Sequence, residues 1–257
     1  MECMTVLGYG VCTPDADLRE ALPFEAGDID RNAIPAMLRR RTSQATQMAF
    51  SAATRACACA GRTPGEVPAI FACVGGEIQI TDQLCIELAK PDGVISPTAF
   101  HNSVHNTAAG YWSIVHRSTC AATAMAAGHA TFAMALMEAW CQLACHGGEV
   151  LLVCYDERWP GYLSPPMGEP VLACAVMLAA GPVPNRTVSL GCPERPDTAL
   201  SFPREYREWV ERMPVLAAIP LLTALAQAKG VHDVPLVANG NWLVRARAAN
   251  LTSDPSK

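Results

Sequence analysis

The sequence predicts a layered α/β domain built on a mostly parallel sheet, with helices on both faces. Three observations carry that prediction. Short apolar runs closed by Gly or Pro alternate with stretches of helical periodicity from Met4 to Gly181, the pattern of strands joined by crossover helices. Apolar residues make up 51% of the chain and charged residues only 17%, which suits a well-buried core and argues against disorder. The length, 257 residues, accommodates one large domain or two small ones.

The elements follow in order. "MTVLGYGVC" (Met4–Cys12) alternates well enough for a first strand, ending at the turn "TPDADL". "RRRTSQATQMAFSAATRACACAG" holds a helix that Gly61 can terminate. "VPAIFACVGGE" reads as a short buried strand closed by Gly75–Gly76. "EIQITDQLCIELAK" is a helix, "PDGVISPTAF" a loop, and "NSVHNTAAGYWSIVHR" a second helix. The Ala-rich run Cys120–Trp140 reads as one long buried helix. "GEVLLVCYDE" and "EPVLACAVMLAAG" are buried strands separated by the Pro/Gly loop "RWPGYLSPPMG". After Pro182 the texture becomes polar and proline-rich. A helical segment interrupted by Pro214 and Pro220 comes next, and then two β-like runs with Asn239–Gly240 between them, a hairpin signal.

Several function classes fall away on composition. The net charge is −5 and the one basic run is "LRRR" at Leu38–Arg41, which reads as a solvated helix end rather than a nucleic-acid footprint. The Cys120–Trp140 run is long enough for a membrane span, but it carries Glu138, His129 and Gly128 and is dominated by Ala, so no membrane span is expected. Twelve cysteines sit mostly in apolar runs, where free Cys packs as a small hydrophobe; with no N-terminal signal segment, a cytoplasmic, reducing setting is expected. "CAC" (Cys57, Cys59) and "CQLACH" (Cys141, Cys145, His146) lack the paired spacing of a structural zinc site and read as packing. His101 and His105, like Asn102 and Asn106, stand at i, i+4 and would share a helix face, but no third metal ligand is apparent; no metal or cofactor is expected.

The order of these pieces resembles the N-terminal, thiolase-like half of a β-ketoacyl synthase over roughly Met1–Gly181. "VLGYGVCTP" resembles that family's opening strand, and "RRRTSQATQMAFSAATRAC" its first long helix. "AIFACVGGE" is similar to its strand ending in a glycine pair, and "ISPTAFHNSVHNTAAGYW" to its "P…F…N…AG" helix, with Asn106 and Gly110 at the matching places. "STCAATAMAAGHA" resembles the nucleophile turn, with Cys120 starting a buried helix. "GEVLLVCYDE" and "GEPVLACAVMLAAG", Gly168–Glu169 included, resemble the last two strands. The resemblance implies a mostly parallel five-stranded sheet over residues 1–182, followed by a reduced C-terminal segment, 183–257, of a helix and a β-hairpin.

Two departures shape the functional expectation. Only "SIVHRST" separates Trp112 from Cys120, so the strand before the nucleophile is expected to be cut or merged into the helix. The family's second half, which supplies the catalytic histidines and lysine, is nearly absent; its sole histidine here is His232. A thiolate at Cys120 would gain from a helix N-terminus, but nothing visible polarises a malonyl group, so Cys120 reads as vestigial.

The short form resembles the chain length factor-like proteins of aryl polyene gene clusters. What this implies is a non-catalytic, cytoplasmic subunit of a β-ketoacyl-[acyl carrier protein] synthase, inactive alone, in type II polyketide or fatty-acid-like biosynthesis. It would form a heterodimer with a full-length ketosynthase and meet acyl carrier protein through that partner. His105, Asn106, Tyr111 and Trp112 would then face the partner's acyl tunnel, with packing in the subunit's own core as the alternative for Tyr111 and Trp112. The competing function is an acyltransferase or reduced ketosynthase that uses Cys120 as an acyl-accepting nucleophile.

Overall fold

The computed structural model describes residues 1–163, 170–198 and 200–248. Its elements are β1 Met4–Cys12, α1 Ala16–Ala21, α2 Ala36–Arg39, α3 Gln44–Ala60, β2 Ala69–Ala72, α4 Ile78–Leu88, α5 Pro97–Asn102, α6 Thr107–His116, β3 Ala122–Met125, α7 Thr131–His146, β4 Glu149–Asp156, β5 Leu172–Ala180, β6 Val188–Leu190, α8 Arg204–Arg212, α9 Ile219–Gln227, β7 Val231–Pro235 and β8 Leu243–Ala248. Short 3₁₀ turns at Gly128–Ala130 and Pro214–Ala218 lead into α7 and α9. Gly168 and Glu169 lie outside the described residues.

The strands form one sheet in the order β3-β2-β4-β5-β1-β6-β8-β7. β2 pairs in parallel with β3 and β4, while β5 runs antiparallel to both β4 and β1. Within the first five strands, then, four share one direction and only β5 opposes them. That is the mostly parallel five-stranded sheet, and β6, β8 and β7 widen it into a mixed one of eight strands, each antiparallel to its neighbour. The reversal at β5 has a simple cause: among the described residues no helix lies between it and β4, and without a crossover a strand returns antiparallel.

Both faces of the centre are covered. β4 and β5 are buried along almost their whole length, as strands sandwiched between helical layers must be. α3 packs on β1, β5 and β4; α7 and the Pro214–Ala218 turn pack on β4 and β5. α3 begins with Ser43, whose Oγ accepts from the Thr46 N–H at 3.0 Å, and ends at Gly61 with φ +68°, the stop expected from sequence. Its approach to β1 depends on small residues. A Cβ on Gly10 would lie 2.4 Å from the Ala52 carbonyl oxygen and 2.6 Å from the Ala56 nitrogen, so helix and strand backbones nearly touch.

Two expectations need correction. The strand before the nucleophile turn is present: Ala122–Met125 pairs in parallel with Ala69–Ala72, and α7 begins only at Thr131. The helix expected over 102–117 begins only at Thr107; a separate helix, α5, covers Pro97–Asn102, most of it in the segment expected to be a loop, and the chain breaks at Ser103–Asn106. Thr107 Oγ1 donates to the carbonyls of Asn102 (3.1 Å) and Val104 (2.8 Å), giving the backbone a local alternative to a continuous helix. The tail is fuller than the one helix and hairpin of its sequence reading: α8 and α9 flank the 3₁₀ turn that Pro214 opens, and β6 joins the sheet; Pro220 sits in the first turn of α9, where a missing N–H costs least, and β7 and β8 form the hairpin around Asn239–Gly240. Among the described residues, no helix is long and apolar enough to cross a membrane.

Candidate functional site

The strand–turn–helix from β3 to α7 is the natural place for a reactive side chain in this architecture. β3 is an edge strand and the turn after it is exposed. The turn reads Ala126, Ala127, Gly128, His129, Ala130. It is locked by Thr131, whose Oγ1 accepts from the Ala127 N–H at 2.9 Å and donates to the Gly128 carbonyl at 2.7 Å. Gly128 adopts φ +55° there, a conformation that suits glycine. No nucleophilic side chain projects from residues 126–130.

Cys120 lies elsewhere. It precedes β3, half-buried, with its N–H donating to Ser118 Oγ at 3.3 Å. A four-residue strand separates it from the turn, so the dipole of α7 does not reach it, and the expectation of a thiol at a helix N-terminus is overturned. His129 is exposed at the turn, and His146 ends α7, exposed as well. Cys141 and Cys145 are exposed on α7 rather than packed.

The His/Asn/aromatic cluster is split by the break between α5 and α6. His101 ends up on α5 and His105 in the break, so the two do not share a helix face. Asn102 is buried, its Nδ2 donating to the Arg41 carbonyl at 2.7 Å, and its Oδ1 accepts from the Tyr111 hydroxyl at 2.9 Å. His105 Nε2 meets the Cys73 carbonyl at 2.8 Å, tying the break to the end of β2. Asn106 is exposed, in the N-cap position of α6 but with no side-chain cap bond. Trp112 is 1% exposed and sits among Phe50, Phe71 and His116 at ring separations of 5.2, 5.9 and 4.2 Å. A side chain so buried belongs to this chain's own core and does not line a neighbour's channel by direct contact. His116, half-buried at the end of α6, is held below its usual pKa by desolvation.

What remains on the outside is apolar. Phe100, Val104 and Ile114 are 64%, 48% and 61% exposed. With His101, Asn106, Gly110 and Tyr111 they line an open groove of about 370 Å³ on α5 and α6. No side-chain atom occupies the space over Gly110: a Cβ built there meets nothing within 4 Å. α6 also packs beside β3, the edge strand of the sheet; an exposed apolar groove and an open strand edge are each features that mark interaction sites.

Sequence reasoning missed the buried acidic residues. Glu77, Asp156 and Glu157 converge at the ends of β2 and β4. The available signal was two consecutive acids closing a wholly apolar strand.

Residues 15–205 match the family described as "Beta-ketoacyl synthase, N-terminal domain". No curated protein matches the chain. Among solved structures, it is similar to a ketosynthase (ApeO) in complex with its chain length factor (ApeC) from Xenorhabdus doucetiae, with TM-score 0.68 and 17% identity, covering 96% of this chain and 100% of that one. It is also similar to the ishigamide ketosynthase/chain length factor, with TM-score 0.66 and 13% identity, covering 96% and 100%. A third likeness is to AntDE:AntF, a type II polyketide synthase acyl-carrier protein in complex with its ketosynthase bound to the hexaketide, with TM-score 0.52 and 15% identity, covering 70% and 63%. At these identities the likeness is one of fold.

Proposed function

The chain belongs to the β-ketoacyl synthase family through its N-terminal domain, and on that footing we propose that it is a chain length factor-like subunit that condenses nothing itself. It pairs with a full-length ketosynthase as a heterodimer, stabilises it and bounds the acyl tunnel at their interface. The acyl chains arrive on a carrier protein through the ketosynthase. The setting is type II polyketide or fatty-acid-like biosynthesis of the aryl polyene kind, in the cytoplasm.

One observation carries this reading: the turn where a condensing enzyme presents its nucleophile holds Ala126 and Ala127, at the end of an unpaired edge strand. Decarboxylative condensation needs a thiolate to accept the acyl chain and donors to hold the developing enolate. The turn offers no thiolate, and its one histidine, His129, stands exposed, while its surroundings offer what docking needs, an open ladder of backbone groups and an apolar groove. A partner strand pairing with β3 would satisfy the first, and burial of Phe100, Val104 and Ile114 would contribute about 1.5–3 kcal/mol per side chain. The surface beside Gly110 is then the part of this chain placed to limit tunnel length, since bulk added there fills empty space.

Co-expression with the neighbouring ketosynthase tests the proposal. The two chains are expected to co-purify, and Cys120→Ala is expected to leave chain elongation unchanged. Gly110→Phe is expected to shorten the products. The reading fails if the chains never associate and the ketosynthase works unaided. A stable acyl adduct on the isolated chain, lost in Cys120→Ala and seen by intact mass, would establish the acyltransferase reading instead.

A further inference from the structure

Asn239–Gly240 is the clearest turn signal in the tail, yet the hairpin does not use it as a tight turn. A type I′ turn needs φ above zero at both central residues, and neither Asn239 nor Gly240 has it. The chain instead joins β7 to β8 through a wider loop, from Leu236 to Trp242. The base of this loop is fixed: the Leu236 N–H donates to the Trp242 carbonyl at 2.9 Å, and Leu236 and Val237 are buried. Its tip is open. Asn239 and Gly240 are exposed, and the Gly240 N–H donates to no group among the described residues. Asn239 Nδ2 ties the tip to α8, donating to Glu211 Oε1 at 3.2 Å.

This arrangement leaves a reaction unguarded. An asparagine amide is thermolabile, because the backbone nitrogen of the next residue can attack its side-chain carbonyl carbon. A side chain on that next residue hinders the approach, and a hydrogen bond from its N–H makes the nitrogen less reactive. Gly240 has no side chain and a free N–H. Packing requires glycine there, since a Cβ would stand 2.7 Å from Val237 Cγ2. Other asparagines lack this combination. Asn102 is buried, with both ends of its amide engaged. Asn241 precedes Trp242, and its amide is held by the Arg195 guanidinium and the Pro196 carbonyl. Asn32 and Asn106 are exposed but precede Ala33 and Thr107.

We propose that Asn239 is a self-modification site: it converts to aspartate and isoaspartate, and the contact with Glu211 turns from attraction to repulsion. The Gly240 nitrogen gives its proton to solvent base and bonds to Asn239 Cγ. The side-chain nitrogen leaves as ammonia, and a cyclic imide remains. Water then opens one of the two imide C–N bonds. Opening at Cγ gives aspartate; opening at the main-chain carbonyl gives isoaspartate, in which the chain runs through the side-chain carbon. One water is consumed and one ammonia released. Either product removes the amide donor and adds a carboxylate beside Glu211, so a hydrogen bond is lost and two like charges face each other. The loop tip then comes away from α8. The reaction belongs to the loop itself and runs whether or not the chain pairs with a ketosynthase.

Incubation of the purified chain, followed by ion-exchange chromatography and peptide mass mapping, tests this. An acidic species is expected, with the mass gain of amide-to-acid conversion located at Asn239. The attacking nitrogen must first lose its proton, and its ionised fraction grows with each pH unit, so conversion is expected to run at least about tenfold faster at pH 8 than at pH 6. Asn239→Gln keeps an amide for Glu211 but needs a larger ring to react, and is expected to remove that species. Hydrogen–deuterium exchange over residues 204–212 is expected to rise in the aged chain and in Asn239→Asp. Conversion at Asn32 or Asn106 that keeps pace with Asn239, or an acidic species that forms at the wild-type rate in Asn239→Gln, would overturn the site. Unchanged exchange over 204–212 after conversion would overturn the repulsion. Neither outcome bears on whether the chain binds a ketosynthase.

Discussion

The contact between α3 and β1 makes a sharp prediction, because one chemical change has opposite signs at two glycines. At Gly10 a methyl group would stand 2.4 Å from the Ala52 carbonyl oxygen and 2.6 Å from both the Ala56 nitrogen and Arg55 Cβ. Carbon contacts are comfortable at about 3.5–4.0 Å, so roughly 1 Å of separation must be gained. The obstructing atoms are backbone or Cβ, which no rotamer change can move. The whole 17-residue helix must tilt, and buried Ala52, Ala53, Ala56 and Ala60 would lose contact with the strand. Overpacking of this kind costs about 1–3 kcal/mol, and a rigid obstruction puts Gly10→Ala near the upper figure. At about 2–4 °C per kcal/mol for a chain of this size, the unfolding midpoint falls by about 6–12 °C. Gly110→Ala is the control. It is helical, a Cβ there meets nothing within 4 Å, and removing a helical glycine gains up to about 1 kcal/mol. Thermal and urea unfolding of the purified chain, followed by circular dichroism, reads both. A Gly10→Ala variant within 1 kcal/mol of wild type, or two variants shifting in the same direction, would refute the packing argument.

Other outcomes follow from the same structure. Trp112→Ala should cost about 3–5 kcal/mol in urea denaturation, whereas Trp112→Phe should cost far less, because among the described residues Trp112 Nε1 has no hydrogen-bond partner that the substitution would remove. Glu157→Gln should raise stability at pH 8 and change it little at pH 5. The rise from 4.5 to about 7 sets a ceiling of about 3 kcal/mol, less whatever the amide loses by facing one N–H with its own donor. Thr131→Val removes the acceptor of the Ala127 N–H and should cost about 1 kcal/mol, with faster exchange of that one amide as the local readout.

The parts of the fold legible from sequence are those whose physics is local. α3 announces itself through Ser43, its Ala-rich face and Gly61; β4 and β5 through apolar runs too short for helices. β3 is different. "ATAM" has one β-branched residue in four and lies inside an alanine run that any periodicity assigns to helix. It is a strand because β2 is there to pair with it, a fact the local sequence does not contain. With no strand in view, Cys120 reads as the start of the long helix; β3 stands between the two, and α7 begins only at Thr131. The break at Ser103–Asn106 was illegible for a related reason, since it rests on Thr107 choosing the Asn102 carbonyl and on His105 reaching across to Cys73. The buried acids were hidden by their neighbours' identity. A Glu at the end of a strand is ordinary until two helix starts are known to converge on it.

The distribution of cover over the sheet bears on where a partner would sit. Something must cover a sheet of this kind and protect its edges. Here the tail does so on one side: Val215–Ala218 and then Ile219, Leu221, Leu222 and Leu225 are buried, and the 3₁₀ turn packs on α7, β4 and β5. The tail also extends the sheet past β1 through β6, β8 and β7, ending at an outer strand whose Asp233 pairs with Arg245 across the ladder, a charged edge of the sort that discourages further strand addition. Neither device exists at the other end. β3 carries no charged side chain, and α6, which packs beside it, leaves Ile114 exposed, with Phe100 of α5 and Val104 of the break exposed as well. A chain that finishes one edge and one face while leaving the opposite edge open and apolar is asymmetric in the way a docking subunit must be. The asymmetry places the expected contact at β3, next to the turn that lacks a thiol.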